Sequence, residues 1–223
     1  MKVGWLKLKD TWYYFNLDGI MVTNQHVIDG KDYLFDSSGK LIEHSGWFKV
    51  EEQRYYSTWV YSNGDGTVIK DQWFQLGNDW YYSDIFGNSI RNSTYGIDEK
   101  QYLFDETGKL VVDRWYQFRT NAYNEDLVYY HEWQYGDSEG VTPHNVWKTI
   151  NGKDYYFDEY EVAQSRAFKI NEQNFLFDSN FTIVTGDGWR QIDSVWYYLE
   201  NGCLLLIHGN LLVANGTTLV THP

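Results

Sequence analysis

The sequence predicts an all-β fold, a solenoid of tandem β-hairpin repeats of about 20 residues each. Related segments recur along the chain: GWLKLKDTWYYFNLDG from Gly4 returns as GWRQIDSVWYYLENG from Gly188. A second variant, VIDGKDYLFDSSGKLI from Val27, returns as KINEQNFLFDSNFTIV from Lys169. Repetition at this short spacing is typical of arrays in which each unit buries its apolar face against its neighbours.

Each unit carries the signals of one hairpin. In the second variant a short run ends at Ile28, Asp29-Gly30 follows, and a second run begins near Tyr33. Asp-Gly and Asn-Gly dipeptides accept positive φ at both central positions of a tight hairpin turn. The same signal occurs at Asn151-Gly152 and Asn215-Gly216. A further turn is expected after each hairpin, marked by Gly19, Gly39, Gly87, Gly108 and Gly202.

The repeats cover almost the whole chain, which predicts a single repeat domain over residues 1–223. The last segment, 210–223, has lost the aromatic residues and is expected to form a capping hairpin, because solenoid ends need a cap. The units from Gly46 and Trp115 are longer, at roughly 27 and 31 residues. We expect the loops 62–67 and 136–144 to be insertions at hairpin tips, where extra residues cost little.

Aromatic residues make up 19% of the chain, with 11 Trp, 20 Tyr and 12 Phe. Because successive side chains of a strand point to opposite faces, roughly half of these rings should face outward. A soluble protein rarely keeps a long apolar surface stripe without using it, so the outward rings indicate a binding surface. The tryptophans expected to face outward into grooves are Trp5, Trp12, Trp47, Trp73, Trp80, Trp115, Trp147, Trp189 and Trp196.

The formal net charge of -13 argues against nucleic acid as a partner, because the chain lacks a basic face that could displace counterions from phosphates. A neutral glycan or a cationic ligand is compatible with this charge. No apolar run approaches the roughly 18 residues that span a bilayer, so membrane insertion is not expected. The single cysteine, Cys203, is expected to be a buried, small apolar residue in a strand.

The residues that follow Met1 lack the basic and apolar regions of a signal peptide. We therefore expect the chain to be part of a longer exported protein, secreted or held at the cell surface.

Catalysis is not expected from the acidic residues, because four of them recur at one repeat position: Asp36, Asp105, Asp158 and Asp178. A repeated position cannot be a unique active site, and aspartate there is typical of a turn. The histidines, which include His26, His131 and His144, lack the spacing of a metal site. The sequence thus predicts a protein that is not an enzyme and uses no cofactor or metal.

Two longer motifs narrow the functional class. The first unit contains GW at Gly4-Trp5, WYY at 12–14 and G-x-M ending at Met21. The second unit reads QHVIDGKDYLFDSSGK from Gln25, and the segment from Gly96 partly repeats it. These motifs resemble the Gram-positive cell-wall-binding repeat family, which includes choline-binding repeats of surface proteins and glucan-binding repeats of glucansucrases.

The resemblance implies ligand sites in grooves between consecutive hairpins. A choline site would be an aromatic cage that attracts a quaternary ammonium by cation–π contacts. A glucan site would combine an aromatic face with Gln and Lys side chains that hydrogen-bond sugar hydroxyls. The best choline candidate is a cage of Trp5, Trp12, Tyr13 and Met21, and the best glucan candidate is Gln25, Lys31 and Tyr33.

The complete set of candidate ligand-binding residues extends both motifs to the later units. It consists of Trp5, Trp12, Tyr13, Met21, Gln25, Lys31, Tyr33, Trp47, Trp73, Trp80, Tyr81, Lys100, Tyr102, Trp147, Lys153, Tyr155, Trp189 and Trp196. The GW dipeptide itself occurs only at Gly4, Gly46 and Gly188, which indicates that competent sites do not recur in every unit.

The leading hypothesis is a non-catalytic module that binds a cell-wall polymer or an extracellular α-glucan and retains its parent protein at the bacterial surface. One alternative is recognition of phosphocholine on teichoic acid. A third hypothesis, of another class, is a structural or adhesive spacer array that binds no small ligand.

Overall fold

The computed structural model describes residues 1–51, 57–119 and 131–205, together with the short strands at 207–208 and 211–212. Every regular element in these residues is a β-strand, and the predicted all-β fold of tandem hairpins is confirmed. Within the described part of the chain, no helix has the length and apolar character needed to cross a membrane.

The chain divides into two compact units. The first comprises Met1–Tyr95 with Phe104–Leu110, and the second comprises Gly96–Leu103 with Val111–Pro223. The division passes through one hairpin, so the single repeat domain expected over 1–223 stays a prediction.

The strands pair as successive antiparallel hairpins, and the last long hairpin gains a third strand, β19. In chain order the strands are β1 (Gly4–Leu8), β2 (Thr11–Phe15), β3 (Asn24–Ile28), β4 (Lys31–Phe35), β5 (Ser45–Glu51), β6 (Ser57–Asn63), β7 (Gln72–Leu76), β8 (Asp79–Ser83), β9 (Ser93–Ile97), β10 (Lys100–Phe104), β11 (Arg114–Arg119), β12 (His131–Gly136), β13 (Val146–Ile150), β14 (Lys153–Phe157), β15 (Arg166–Ile170), β16 (Gln173–Phe177), β17 (Gly188–Ile192), β18 (Val195–Glu200), β19 (Cys203–Leu205), β20 (Ile207–His208) and β21 (Leu211–Leu212).

The hairpin tips use the predicted turn chemistry. Asp29 and Gly30 have φ of 50° and 77°, the positive pair that a two-residue hairpin turn requires. Asn151-Gly152 repeats this geometry. Asp98 and Glu99 adopt it without a glycine, with φ of 48° and 65°. The turn predicted at Asn215-Gly216 lies outside the described residues.

The connectors between hairpins are built around one acceptor. Asp36 Oδ1 accepts hydrogen bonds from the backbone N–H of Ser38 at 2.8 Å and of Lys40 at 3.0 Å. Burial would raise the pKa of Asp36, but the hydrogen bonds from Ser38 and Lys40 outweigh it and hold that pKa below its ordinary value. The same pair of bonds forms at Asn16, Asp84, Asp105, Asp137, Asp158 and Asp178. The recurring aspartates are therefore turn residues, as predicted.

Two expectations about loops are wrong. Segments 62–67 and 136–144 are not hairpin tips: they contain connectors, closed by the bonds from Asn63 N to Thr67 O and from Asp137 N to Val141 O. The extra length of these units instead falls between β5 and β6 and between β11 and β12, where 52–56 and 120–130 lie outside the described residues. Pattern alone did not separate tips from connectors, because both are rich in Gly and Asp.

The C-terminal region also departs from expectation. Gly202 is not in a connector but in the tight turn that joins β18 to β19, since Glu200 pairs with Cys203. Cys203 lies in a strand, as predicted, but is only half-buried: along β19 the buried side chain is that of its neighbour Leu204, which is 5% exposed. The capping hairpin expected over 210–223 lies largely outside the described residues and stays a prediction.

The core consists of small clusters between consecutive hairpins. Phe35 packs back against Val22 and Trp5, whereas its neighbour Leu34 packs forward against Val50 and Val60. Both Leu34 and Phe35 are 1% exposed. An inner hairpin has a neighbouring hairpin on each side. At the C-terminal end of its second strand both faces are therefore buried, and the expected alternation of inward and outward residues fails at that end.

Candidate binding grooves

Ten of the 11 tryptophans form five pairs, each within one hairpin. In the first pair, Trp5 lies two residues before Lys7, which stands opposite Trp12, so both indoles lie on one face of the hairpin. The pairs are Trp5 with Trp12, Trp47 with Trp59, Trp73 with Trp80, Trp115 with Trp133, and Trp189 with Trp196. The eleventh tryptophan, Trp147, lies in a hairpin where Asp154, which stands opposite Thr149, takes the place of the second tryptophan.

The first pair forms an open groove. The ring centroids of Trp5 and Trp12 are 6.1 Å apart, with their planes at 85°. Tyr33 from the next hairpin supports Trp5 from behind, with centroids 4.9 Å apart. The backbone N–H of Leu41 donates a hydrogen bond to Trp12 O at 2.8 Å, which places Leu41 beside Trp12. The groove has a volume of about 350 Å³, and its lining residues are Trp5, Trp12, Leu41, Glu43 and Asp65.

Two carboxylates stand beside the two indoles. Asp65 accepts hydrogen bonds from Thr67 N at 2.9 Å and from Thr67 Oγ1 at 2.6 Å. These bonds lower the pKa of Asp65, so its carboxylate stays ionised at neutral pH. Glu43 brings a second acidic side chain to the same lining. Electron-rich indole faces together with negative charge suit a small organic cation, and they also suit the polarised C–H face of a sugar.

The expected cage around Trp5 and Trp12 is only half assembled. Tyr13 stands opposite Leu6, and therefore lies on the other face of the hairpin from both indoles. Met21 packs over Gly39, where an added Cβ would come within 2.5 Å of Met21 Sδ. Leu41, Glu43 and Asp65 stand in their place, all supplied by connectors of later hairpins.

The glucan-type residues are also divided. Tyr33 packs against Trp5 and is not among the lining residues of the first groove, and Lys31 is exposed at a hairpin tip. Gln25 lies in a separate polar cleft of about 680 Å³. There its Nε2 donates to Asp32 Oδ1 at 3.1 Å and to Phe86 O at 2.6 Å.

This polar cleft is organised by a buried carboxylate. Asp32 is 7% exposed and forms an ion pair with Lys70. His26 and the 64% exposed Phe86 also line the cleft. Polar groups fixed beside an exposed ring are the combination that the glucan motif implied, but they arise from residues distant in sequence.

Other candidates serve mainly as support. Tyr81 and Tyr155 are 6% and 8% exposed, since they back Trp47 and Trp115 at centroid distances of 5.3 and 5.0 Å. Lys100 Nζ pairs with Glu139 at 2.9 Å.

The remaining candidates are spread over later hairpins. Tyr102 is half-buried in β10, and Lys153 is exposed at the start of β14. Trp80 and Trp147 are exposed, at 43% and 38%. Trp73, Trp189 and Trp196 are half-buried; Trp73 and Trp189 lie 5.3 Å from Tyr82 and Tyr198 respectively.

Sequence reasoning missed two tryptophans and two acids. Trp59 and Trp133 are second-strand partners hidden in the longer hairpins, where W-x-Y replaces WYY. That variant motif was a usable signal. Glu43 and Asp65 had none, because their place in the groove depends on how later hairpins stack.

Family models match several of the hairpins. Residues 2–44 match a choline-binding repeat. Residues 71–84, 146–159 and 187–202 match a cell wall binding repeat. The resemblance noted from the motifs is thereby confirmed, and the repeats matched are binding repeats.

Curated relatives are glucosyltransferases. Glucosyltransferase-S of Streptococcus mutans is 26% identical over 207 residues, covering 92% of this chain and 13% of the relative. Glucosyltransferase-I of Streptococcus downei is 26% identical over 208 residues, covering 87% of this chain and 12% of the relative. The chain thus spans only a small part of the length of these proteins.

Solved structures show the same fold. CbpJ from Streptococcus pneumoniae matches with a TM-score of 0.55 and 22% identity, over 96% of this chain and 84% of that one. Choline binding protein F from Streptococcus pneumoniae, solved in the presence of a peptidoglycan analogue, matches with a TM-score of 0.54 and 20% identity, over 96% and 82%. The choline-binding domain of CbpL from the same species has a TM-score of 0.50 and 19% identity, over 94% and 100%.

Proposed function

We propose, from the premise that this chain carries choline-binding and cell wall binding repeats, that it is a non-catalytic module which binds a cell-wall polymer or an extracellular α-glucan. In this role it retains a longer, exported parent protein at the bacterial surface. The observation that carries the proposal is the open groove between Trp5 and Trp12, whose lining combines two half-buried indoles with the exposed carboxylates of Glu43 and Asp65.

The shape of the grooves favours a polymer over a small free ligand. The first groove is shallow and has only a few lining residues, so a single contact there should be weak. A polymer that repeats its recognition unit can engage several grooves of the array at once, which raises the apparent affinity without any new contact. The relatives and fold neighbours, which include glucosyltransferases and choline-binding proteins, support this class of partner.

A sedimentation experiment tests the proposal. The protein is mixed with insoluble α-glucan or with purified Gram-positive cell walls, and the bound fraction is measured in the pellet. We expect retention on at least one polymer, and we expect Trp12→Ala to weaken it about tenfold, because one wall of the open groove is lost. Leu17→Ala is the matched control, since Leu17 is an apolar side chain that is 86% exposed in a connector. Recovery of the native protein in the supernatant with both polymers would contradict the proposal.

A second candidate function is recognition of choline on teichoic acid. The specific observation in its favour is the pair of carboxylates, Glu43 and Asp65, beside Trp5 and Trp12. Elution from cell walls by free choline, but not by glucan oligosaccharides, would assign the groove to choline. Unchanged tryptophan fluorescence with both ligands would instead favour the spacer hypothesis.

A further inference from the structure

The groove between Trp47 and Trp59 has the same frame as the first groove. Trp59 stands opposite Lys49, as Trp12 stands opposite Lys7. In the first groove Leu41 N donates to Trp12 O at 2.8 Å, and in the second Ser89 N donates to Trp59 O at 2.7 Å. The connector therefore crosses both grooves in the same register. Two residues further on, the first groove has Glu43 and the second has Arg91.

Arg91 covers both indoles of its groove. Its Cζ lies 4.6 Å from the ring centroid of Trp47 and 5.0 Å from that of Trp59. Both distances are within the range of a cation–π contact. The aliphatic part of the side chain passes close to Gly108, where an added Cβ would lie 3.1 Å from Arg91 Cγ. The glycine thus leaves the space that the arginine needs to reach the rings.

Arg91 is half-buried beside the two rings. Arg91 Nε is buried and has no hydrogen-bond partner among the described residues. Burial lowers the pKa of Arg91, although Tyr81 and Asp105 nearby favour its charged form. An arginine remains protonated in such surroundings, so a positive charge stands where an external cation would bind.

We propose that Arg91 is an internal ligand of the Trp47–Trp59 groove and closes it to external cations by covering both indoles. In the equivalent Trp5–Trp12 groove the connector position holds Glu43, and the internal cation is the exposed Lys7, whose Nζ lies over one indole, 5.4 Å from the ring centroid of Trp12. The side chain at this one connector position then selects which aromatic grooves of the array are available. This inference rests on the proposed function for the claim that such grooves take ligands, but the closed state rests on the Arg91 contacts alone.

A groove in the second of the two compact units is also covered by a side chain of the protein itself, here by an aromatic ring instead of a cation. Ala163 N donates to Trp133 O at 2.9 Å, which gives the connector the register found at Trp12 and Trp59. The ring of Phe181 lies over this groove, 6.2 Å from both Trp115 and Trp133. Phe181 has φ of 65°, a conformation that a bulky residue rarely adopts.

Site-resolved NMR tests the inference, because each indole N–H gives its own signal. The wild-type protein and Arg91→Gln are titrated with choline chloride while the tryptophan signals are followed. Gln keeps the part of the side chain that passes Gly108 but removes the charge from the rings. We expect the Trp47 and Trp59 signals to be silent in the wild type and to shift saturably, in the millimolar range, in Arg91→Gln.

Arg91→Lys is the matched control, since it keeps a cation in the groove and should leave Trp47 and Trp59 silent. The δ protons of Arg91 in the wild type should also be shifted upfield by the ring currents of the two indoles, a measurement that needs no variant. Normal δ-proton shifts, a wild-type response at Trp47 and Trp59, or their silence in a folded Arg91→Gln would each overturn the inference.

The outcome is separable from that of the proposed function. If Trp5 and Trp12 do not respond to choline but Arg91→Gln gains a response at Trp47 and Trp59, the choline function fails and the inference stands. If Trp5 and Trp12 respond, Glu43→Arg should abolish their response, because it replaces a carboxylate of the lining with a cation, in addition to Lys7 over Trp12.

Discussion

Glu43, Lys70 and Arg91 occupy equivalent places in successive connectors and differ in charge. Each lies two residues after a residue whose backbone N–H donates a hydrogen bond to an earlier hairpin. Before Lys70, for example, Val68 N donates to Asp32 O at 3.0 Å. Lys70 meets the carboxylate of Asp32, and Arg91 meets two indoles. Glu43 lines an open groove. The side chain at this place therefore brings something different to each site: a partner for a buried carboxylate, a cation over both indoles, or a carboxylate in the groove lining.

The hydrogen bonds of Thr67 should set the pH range of cation binding in the first groove. They lower the pKa of Asp65 below its ordinary value of 3.8, so the carboxylate stays charged as the pH falls towards that value. Thr67→Val removes the Oγ1 donor and should raise the pKa of Asp65. We expect the Asp65 carboxyl carbon, followed by NMR, to titrate at higher pH in the variant. Coincident titration curves would show that Thr67 does not control this charge.

The connector recurs along the chain with nearly the same hydrogen bonds. The side-chain oxygen that accepts two of them should contribute measurably to the stability of the protein. Asp36→Ala removes the acceptor for two backbone N–H groups and should lower the free energy of unfolding by about 1 kcal/mol. Asp36→Asn is the matched control, because Asn16 makes the same bonds in the first connector. Urea denaturation measures both variants, and equal losses in the two would refute the role of the acceptor.

The same connector predicts a pH dependence of stability. The pKa of Asp36 is lowered on folding, so its contribution is present above the ordinary value of 3.8 and is lost as the pH falls through the folded pKa. The stability advantage of the native protein over Asp36→Asn should therefore shrink in acid, below about pH 4. Urea denaturation at pH 7 and pH 3 measures this difference, and an advantage that grows at pH 3 would contradict the assignment.

The hairpin tip at Asp98-Glu99 should be improvable. Glu99 holds φ of 65° at the tip position that Gly30, Gly152 and Gly202 occupy in their hairpins. Glu99→Gly removes the clash of Cβ with the backbone and should stabilise the protein by up to about 1 kcal/mol. Thermal unfolding measures the change, and Glu159→Gly, at an exposed connector residue, is the control expected to give no gain.

Hairpins and turns followed from the sequence because their causes are local. Asp29-Gly30 and the recurring Asp36 position specify their turns from a few adjacent residues. The groove lining did not follow, since Glu43 and Asp65 reach Trp12 from connectors of later hairpins. Alternation within one strand assigns Tyr13 to a face but does not show which face a later hairpin will cover.

At the scale of the molecule, the net charge of -13 should separate the two classes of ligand. Glu43 and Asp65 are exposed, so their attraction for a cation is screened as the Debye length shrinks from about 10 Å at 0.1 M salt to about 3 Å at 1 M. Choline binding should therefore weaken several-fold in 1 M NaCl, as measured by calorimetry, whereas binding of a neutral glucan should change little. A salt-insensitive choline affinity would show that the indoles alone hold the ligand.

The lining of the first groove has a consequence for the length of such arrays. Its two indoles come from one hairpin, Leu41 and Glu43 come from the connector after the next, and Asp65 comes from the connector after a third. A complete site thus needs three hairpins in succession. The last two hairpins of an array can therefore complete the sites of earlier hairpins but not sites of their own. An array of fewer than three hairpins has no complete site of this kind, however well its tryptophans are placed.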